Sequence, residues 1–144
     1  MKFSTLKQYS LLALTACAIL FAAGCAPKQT NYPTYENPTE TKWIAEDIDG
    51  KPVQGFAHIW MRLDSNGKIY GSGGCNSFRG NYSYNNGIFR TGPLATTRKS
   101  CSKGMNLQEF KFMQALDRVE TMQERNGMLH MEGQGNSLLF YKGH

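Results

Sequence analysis

The chain has 144 residues, with 16 Lys+Arg against 11 Asp+Glu and a formal net charge of +5. That length holds one ordinary domain once any targeting segment is set aside. The charge is mild and scattered rather than gathered on a stripe, which excludes a dedicated nucleic-acid surface.

The first 25 residues carry the marks of an export signal. Lys2 and Lys7 supply a positive start, Leu11 to Phe21 is apolar except for Thr15, and Ala22-Ala23-Gly24 places small residues before Cys25. The apolar run is shorter than the ~20 residues that cross a bilayer comfortably, so a permanent transmembrane helix is the weaker reading. Small-small-Gly-Cys resembles the lipobox of bacterial lipoproteins, whose cysteine is lipidated and becomes the new N-terminus. Ala22 stands where leucine is usual, which keeps a soluble secreted product as the rival. The resemblance implies acylation of Cys25, for example with palmitate, and a membrane partner through that lipid. With Ala26 rather than Asp following, it implies the outer membrane, facing the periplasm, if the organism has two membranes. Several acyl chains anchor stably because each buried methylene contributes about 0.8 kcal/mol.

Loss of Lys2 and Lys7 with the signal leaves 14 basic residues against 11 acidic ones, or +3. Of four cysteines, Cys17 departs with the signal, Cys25 takes lipid, and Cys75 and Cys101 remain. In an exported domain such a pair most often forms one disulfide.

Residues 26–41 read as a tether. Pro27, Pro33 and Pro38 interrupt it and little in it asks for burial, so it would hold a domain roughly 20 to 50 Å from a membrane. The folded domain is expected over residues 42–143. Trp43 to Ile48 reads as a strand closed by Asp49-Gly50. Phe56 to Leu63 reads as a second, with Ala57, Ile59, Met61 and Leu63 on an aliphatic face and Phe56, His58, Trp60 and Arg62 on the other. Asn66-Gly67 turns into Lys68 to Gly71. Phe78 to Tyr84 follows with Phe78, Gly80, Tyr82 and Tyr84 on one face, then Asn86-Gly87 and Ile88 to Thr91. Leu94 to Thr97 is a short strand leading to Cys101.

One helix is expected after it, capped by Asn106 with Glu109 completing a capping box. Phe112, Leu116 and Val119 form its core face, with Phe110 and Met113 beside them. Thr121 to Arg125 and Met128 to Glu132 form a hairpin about Asn126-Gly127, and Ser137 to Lys142 is the last strand. Three Asn-Gly pairs between alternating segments mark an antiparallel meander. The single helix argues against a doubly wound sheet. The expected fold class is therefore mainly β with one helix, α+β, a curled sheet or small antiparallel barrel whose closure removes exposed edges.

The pattern Gly71-x-Gly73-Gly74-Cys75-Asn76-Ser77-Phe78-x-Gly80-x-Tyr82 resembles the META domain, or HslJ-like family. Trp43, Thr97 with Cys101, Glu109 with Phe112, Leu116 and Val119, and the closing Leu129, Leu138 and Phe140 continue the match over about residues 42–142. The resemblance implies a compact barrel-like domain, often secreted or lipid-anchored, loosely linked to envelope stress, drug tolerance and virulence. It implies no catalysis and brings no active site.

Several residues invite a reading as chemistry. A Cys75–Cys101 bridge closing 26 residues would stabilise by roughly 3.5 kcal/mol. A redox-active pair lacks the Cys-x-x-Cys spacing, and a nucleophilic cysteine lacks a partner histidine. The glycines around Cys75 lack the Gly-Lys-Ser/Thr ending of a phosphate loop and lead into a strand, so they read as a bulge or sharp corner. Asn76 is expected to bond that turn's own backbone. His58, His130 and His144 are far apart, so no metal site is expected, and no cofactor is called for. Asp47 and Asp49 read as solvated. Phe56, Trp60, Phe78, Tyr82 and Tyr84 are the candidate ligand-facing residues, although core is the commoner fate of such side chains. The expectation is a non-enzymatic, lipid-anchored envelope protein that binds other envelope components, with an envelope protein as partner. The runner-up is a carrier of a small apolar ligand. Oligomeric state is left open.

Overall fold

A computed structural model describes residues 38–144. The expected signal segment, Cys25 and residues 26–37 of the expected tether lie outside the described residues.

Among the described residues, ten strands and one helix follow in chain order. They are β1 (Lys42–Ile48), β2 (Lys51–Pro52), β3 (Ile59–Leu63), β4 (Lys68–Gly73), β5 (Ser77–Asn85), β6 (Ile88–Thr91), β7 (Ala95–Thr96), α1 (Lys103–Arg118), β8 (Thr121–Arg125), β9 (Met128–Gly133) and β10 (Asn136–Lys142). The order β10-β9-β8-β6-β5-β4-β3-β1 is closed by antiparallel pairing of β10 with β1. The result is an eight-stranded antiparallel barrel, with β2 on β1 and β7 on β5 as short outer additions. The closing seam pairs Trp43 with Lys142 and Ile48 with Leu138, and shifts register between Ala45 and Asp47. At the β6–β8 seam the one paired position is Ile88 with Thr121. Two backbone bonds, from Phe89 to Glu120 and from Met122 to Gly87, hold it at 2.8 and 2.9 Å.

The turn chemistry explains the meander. Asp49-Gly50, Asn86-Gly87, Asn126-Gly127 and Gln134-Gly135 have positive φ at both positions, as the tightest hairpin turns require. Asn66-Gly67 differs. Only Gly67 has positive φ, and the Asp64 carboxylate accepts from the Asn66 and Lys68 N–H groups at 2.9 and 2.8 Å.

Inward-facing residues fill the barrel. Trp43, Ile59, Met61, Leu63, Ile69, Phe89, Met122, Leu129, Met131 and Phe140 are buried, and α1 contributes Phe112, Ala115 and Leu116. The Phe112 ring centre lies 5.7 Å from that of Phe78 and 6.3 Å from that of Phe140. The helix thus packs across the mouth of the barrel where β1 ends and β4 turns into β5.

Several local expectations change. Phe56 to His58 is turn rather than strand, because Ala57 and Ile59 donate to the nearby carbonyls of Gln54 and Ala57 instead of a ladder partner. The helix begins four residues early. Ser102 is its N-cap, with Oγ accepting from the Met105 N–H at 3.4 Å. Asn106 instead bonds the backbone of Cys101. Phe110 points to solvent. Packing also starts before Lys42: the Trp43 indole donates to the Pro38 carbonyl at 2.9 Å, and the Glu40 N–H donates to that of Leu63 at 2.7 Å.

Candidate functional site

The segment from Gly71 to Gly80 forms the sharp β4–β5 corner. Its turn is closed by the Gly73 N–H donating to the Asn76 carbonyl at 2.8 Å, and Gly74 sits at φ +113°. Cys75 and Cys101 form a disulfide with a Cα separation of 5.9 Å.

Among the described residues Asn76 is the one polar residue in the buried set, and its amide reaches well beyond its own turn. Nδ2 donates to Glu109 Oε1 at 2.8 Å and to the Lys99 carbonyl at 3.4 Å. Oδ1 accepts from Thr97 Oγ1 at 2.8 Å and from the Lys99 N–H at 2.7 Å. The Asn76 backbone N–H donates to the second oxygen of Glu109. Three elements therefore meet at one side chain: the β4–β5 corner, the 97–101 segment and α1. Glu109, expected as a capping residue, is the helix's half of this junction. A side chain at position 73 would put Cβ 2.9 Å from Glu109 Cγ, so the carboxylate can reach Asn76 only because that position is glycine. With these groups spent on one another and both sulfurs oxidised, the corner is a structural latch. Among the described residues, no group of three His, Cys, Asp or Glu side chains is placed to hold a metal ion.

The five candidate ligand-facing residues are not brought together. Phe78 is in the core. Tyr82 stacks on Phe89 with ring centres 5.8 Å apart, and its hydroxyl donates to the Asp64 carbonyl at 2.7 Å. Burial, then the carboxylates of Asp64 and Glu40, push the Tyr82 phenol above its ordinary pKa. The Tyr84 hydroxyl bonds the Met122 carbonyl across the β6–β8 seam at 3.3 Å. Trp60 lies on the outside, edge-on to Tyr70 at 6.4 Å, with the Lys42 ammonium 5.2 Å from its ring centre. Phe56 is also outside, with its ring against Gly104 of α1.

Two surface hollows result. Trp60, Tyr70, Arg79 and Thr96, with the edge of Phe78 at the floor, line a cleft of about 560 Å³. Phe56, Ile48, Pro52, Leu107, Gln108 and Lys111 line a groove of about 530 Å³ between the β2 region and α1. Leu107, which the sequence reading passed over, and Phe110, which it assigned beside the core, border or adjoin that groove.

The META-domain family model matches residues 36–144. The chain belongs to the META family. Solved structures of the same fold extend the match. One is the NMR structure of a protein from Burkholderia xenovorans, 24% identical, with a TM-score of 0.60 over 74% of this chain and 83% of that one. A second NMR structure is 21% identical, with a TM-score of 0.61 over 74% and 94%. The crystal structure of a DUF4847-family protein from Bacteroides vulgatus is 14% identical, with a TM-score of 0.53 over 72% and 93%. At these identities the likeness is one of fold. No curated protein matches the chain. In this META domain the residues that carry the signature, Gly73, Asn76, Cys101 and Glu109, are the ones that build the latch.

Proposed function

We propose that this META domain is a non-enzymatic, lipid-anchored protein of the bacterial envelope, held at the outer membrane by Cys25. In this reading it binds other envelope components through its outer surface and serves envelope stress or drug tolerance. One observation carries the reading: the barrel interior is filled by its own side chains, whereas Phe56, Tyr70, Leu107 and Phe110 are exposed. Exposed apolar groups gathered beside a groove are the usual mark of a binding surface. The lipobox-like Ala23-Gly24-Cys25 supports the anchor. Metabolic palmitate labelling is expected to mark the full chain and to vanish in Cys25→Ala; label retained in the variant would refute anchoring there.

The groove beside α1 also favours a second reading, a carrier of a small apolar ligand, because its volume suits one. In that case an apolar fluorescent probe binds the folded domain with saturation and Leu107→Ala weakens it. Absence of saturable binding removes the carrier.

A further inference from the structure

The solvent face of α1 carries two large apolar side chains, Leu107 and Phe110, among polar ones. The core side is set by Phe112, Ala115, Leu116 and, just past the last turn, Val119. At 100° per residue, Lys103, Leu107, Phe110, Gln114 and Asp117 fall together on the opposite side. Leu107 is 53% and Phe110 61% exposed, and Phe56, packed on Gly104 at the same edge, is 52% exposed. These three cannot be explained by the packing of this domain.

The charges around them are mainly positive. Lys103, Lys111 and Lys51 border the patch and are exposed, and among the described residues none of them has a carboxylate in ion-pair contact. Of the nearby acids, Asp49 also lines the groove and Asp117 shares the helix face of Phe110, so the lysines outnumber them without standing alone. Glu109 is committed to Asn76, and Asp49 accepts from the Asn136 side chain and the Ser137 N–H. Asp117 lies two turns beyond Phe110 on the same face of α1, next to the opposite charge of Arg118. The first turn of α1 contains no acidic residue and opens with Lys103. A cation there opposes the helix dipole, so helix stability does not explain it, and its charge adds to the positive N-terminal end.

We infer that this face, Phe56, Leu107 and Phe110 ringed by Lys51, Lys103 and Lys111, docks on the surface of an anionic lipid bilayer. The inference rests on the envelope reading above and names the component that the outer surface meets. Large apolar side chains with lysines around them are the composition of a helix lying in a membrane interface. Lysine is depleted from protein–protein contacts, and three exposed apolar residues fall well short of the ~800 Å² that a stable protein partner covers on each side. A patch this small is weak alone, and lasting attachment takes a second signal, which a lipid on Cys25 supplies.

The geometry permits both signals at once. The groove lies where β1 ends, at Ile48, whereas the chain enters the barrel beside Glu40 and Leu63. The seven residues of β1 span about 23 Å. An extended chain from Cys25 to Pro38 reaches about 45 Å, enough to bring the far mouth to the membrane that holds the anchor.

Residues 35–144 form one compact unit containing the whole described core, so the domain is tested without its anchor. It is incubated with vesicles of phosphatidylglycerol and phosphatidylethanolamine, or of phosphatidylcholine alone, and sedimented. Binding to the anionic vesicles is expected, falling as salt rises and weak on phosphatidylcholine. Lys103→Gln with Lys111→Gln should lower partitioning about fivefold per lysine, and Leu107→Ser with Phe110→Ser should abolish it. All four side chains are exposed or peripheral, so the variants keep the fold, checked by near-UV circular dichroism. No binding to anionic vesicles, or binding unchanged by the Leu107→Ser/Phe110→Ser pair, overturns the inference. Palmitate labelling of the full chain reports on the anchor separately: label without vesicle binding sinks the docking face and leaves the envelope reading, and vesicle binding without label does the reverse.

Discussion

Replacing Asn76 by alanine tests whether the glycine-rich corner is a latch or merely a turn. The substitution deletes four side-chain hydrogen bonds, to Glu109, Thr97 and, twice, the Lys99 backbone. The two neutral bonds of good length, from Thr97 and the Lys99 N–H, contribute about 1 kcal/mol each, and the charge-assisted bond to Glu109 about 1.5 to 3. The bond to the Lys99 carbonyl is long and adds little. The Asn76 N–H still reaches Glu109, so the carboxylate keeps one donor. A loss of about 3.5 to 5 kcal/mol is therefore expected, from a total of about 5 to 15 for a domain of this kind. Urea unfolding of the domain, followed by Trp43 and Trp60 fluorescence, should show a lower midpoint at an unchanged slope. The melting temperature should fall by roughly 14 to 20 °C. Asn76→Asp should be worse than alanine, because it sets a second carboxylate against that of Glu109. A loss below about 1 kcal/mol for Asn76→Ala would mean that water replaces the amide and that the corner does not depend on it.

Three further outcomes follow from the same structure. Thiol-blocking mass spectrometry of the mature protein should find Cys75 and Cys101 joined to each other, and replacing both by serine should lower stability by roughly 3.5 kcal/mol for a 26-residue separation; two free thiols would remove the staple. Gly71→Ala should prevent normal folding, since its Cβ would lie 2.1 Å from the Trp60 carbonyl oxygen and 2.8 Å from Met61 Cα, and backbone cannot step aside as a side chain can; soluble expression at wild-type stability would contradict this. Tyr82 should make the domain alkali-sensitive. Its phenol titrates higher in the folded than in the unfolded chain, so stability from the neutral form is intact below the unfolded value near pH 10 and is lost as pH rises through the folded one. Tyr82→Phe should cost about 1 kcal/mol at neutral pH, through the bond to Asp64, and flatten that alkaline loss.

Much of this fold was legible in the order of residues because the signals are local. Alternation of apolar and polar residues gave the strands, and Asn-Gly or Asp-Gly pairs gave the hairpins. Only Gln134-Gly135, a weaker turn pair, went unnoticed. The aliphatic face of Ala57, Ile59, Met61 and Leu63 was correctly distinguished from that of Trp60, and it faces the core. Errors arose where two local signals competed. Asn106 and Glu109 have capping-box spacing, yet Ser102 takes the cap because the 97–101 segment is pinned to the corner just ahead of it. Phe56 continues an alternating pattern, but its backbone bonds are spent within the turn.

What the sequence alone determined, then, is the antiparallel class, the one helix among the described residues and the identity of the Cys75–Cys101 pair. Each depends on neighbours in the chain or on elimination among four cysteines. Closure of β10 on β1, the meeting of Asn76 with Thr97, Lys99 and Glu109, and the exposure of Leu107 and Phe110 were decided by tertiary structure. These join residues up to about a hundred positions apart, and periodicity along a helix shows which residues share a face but not which face the barrel will take.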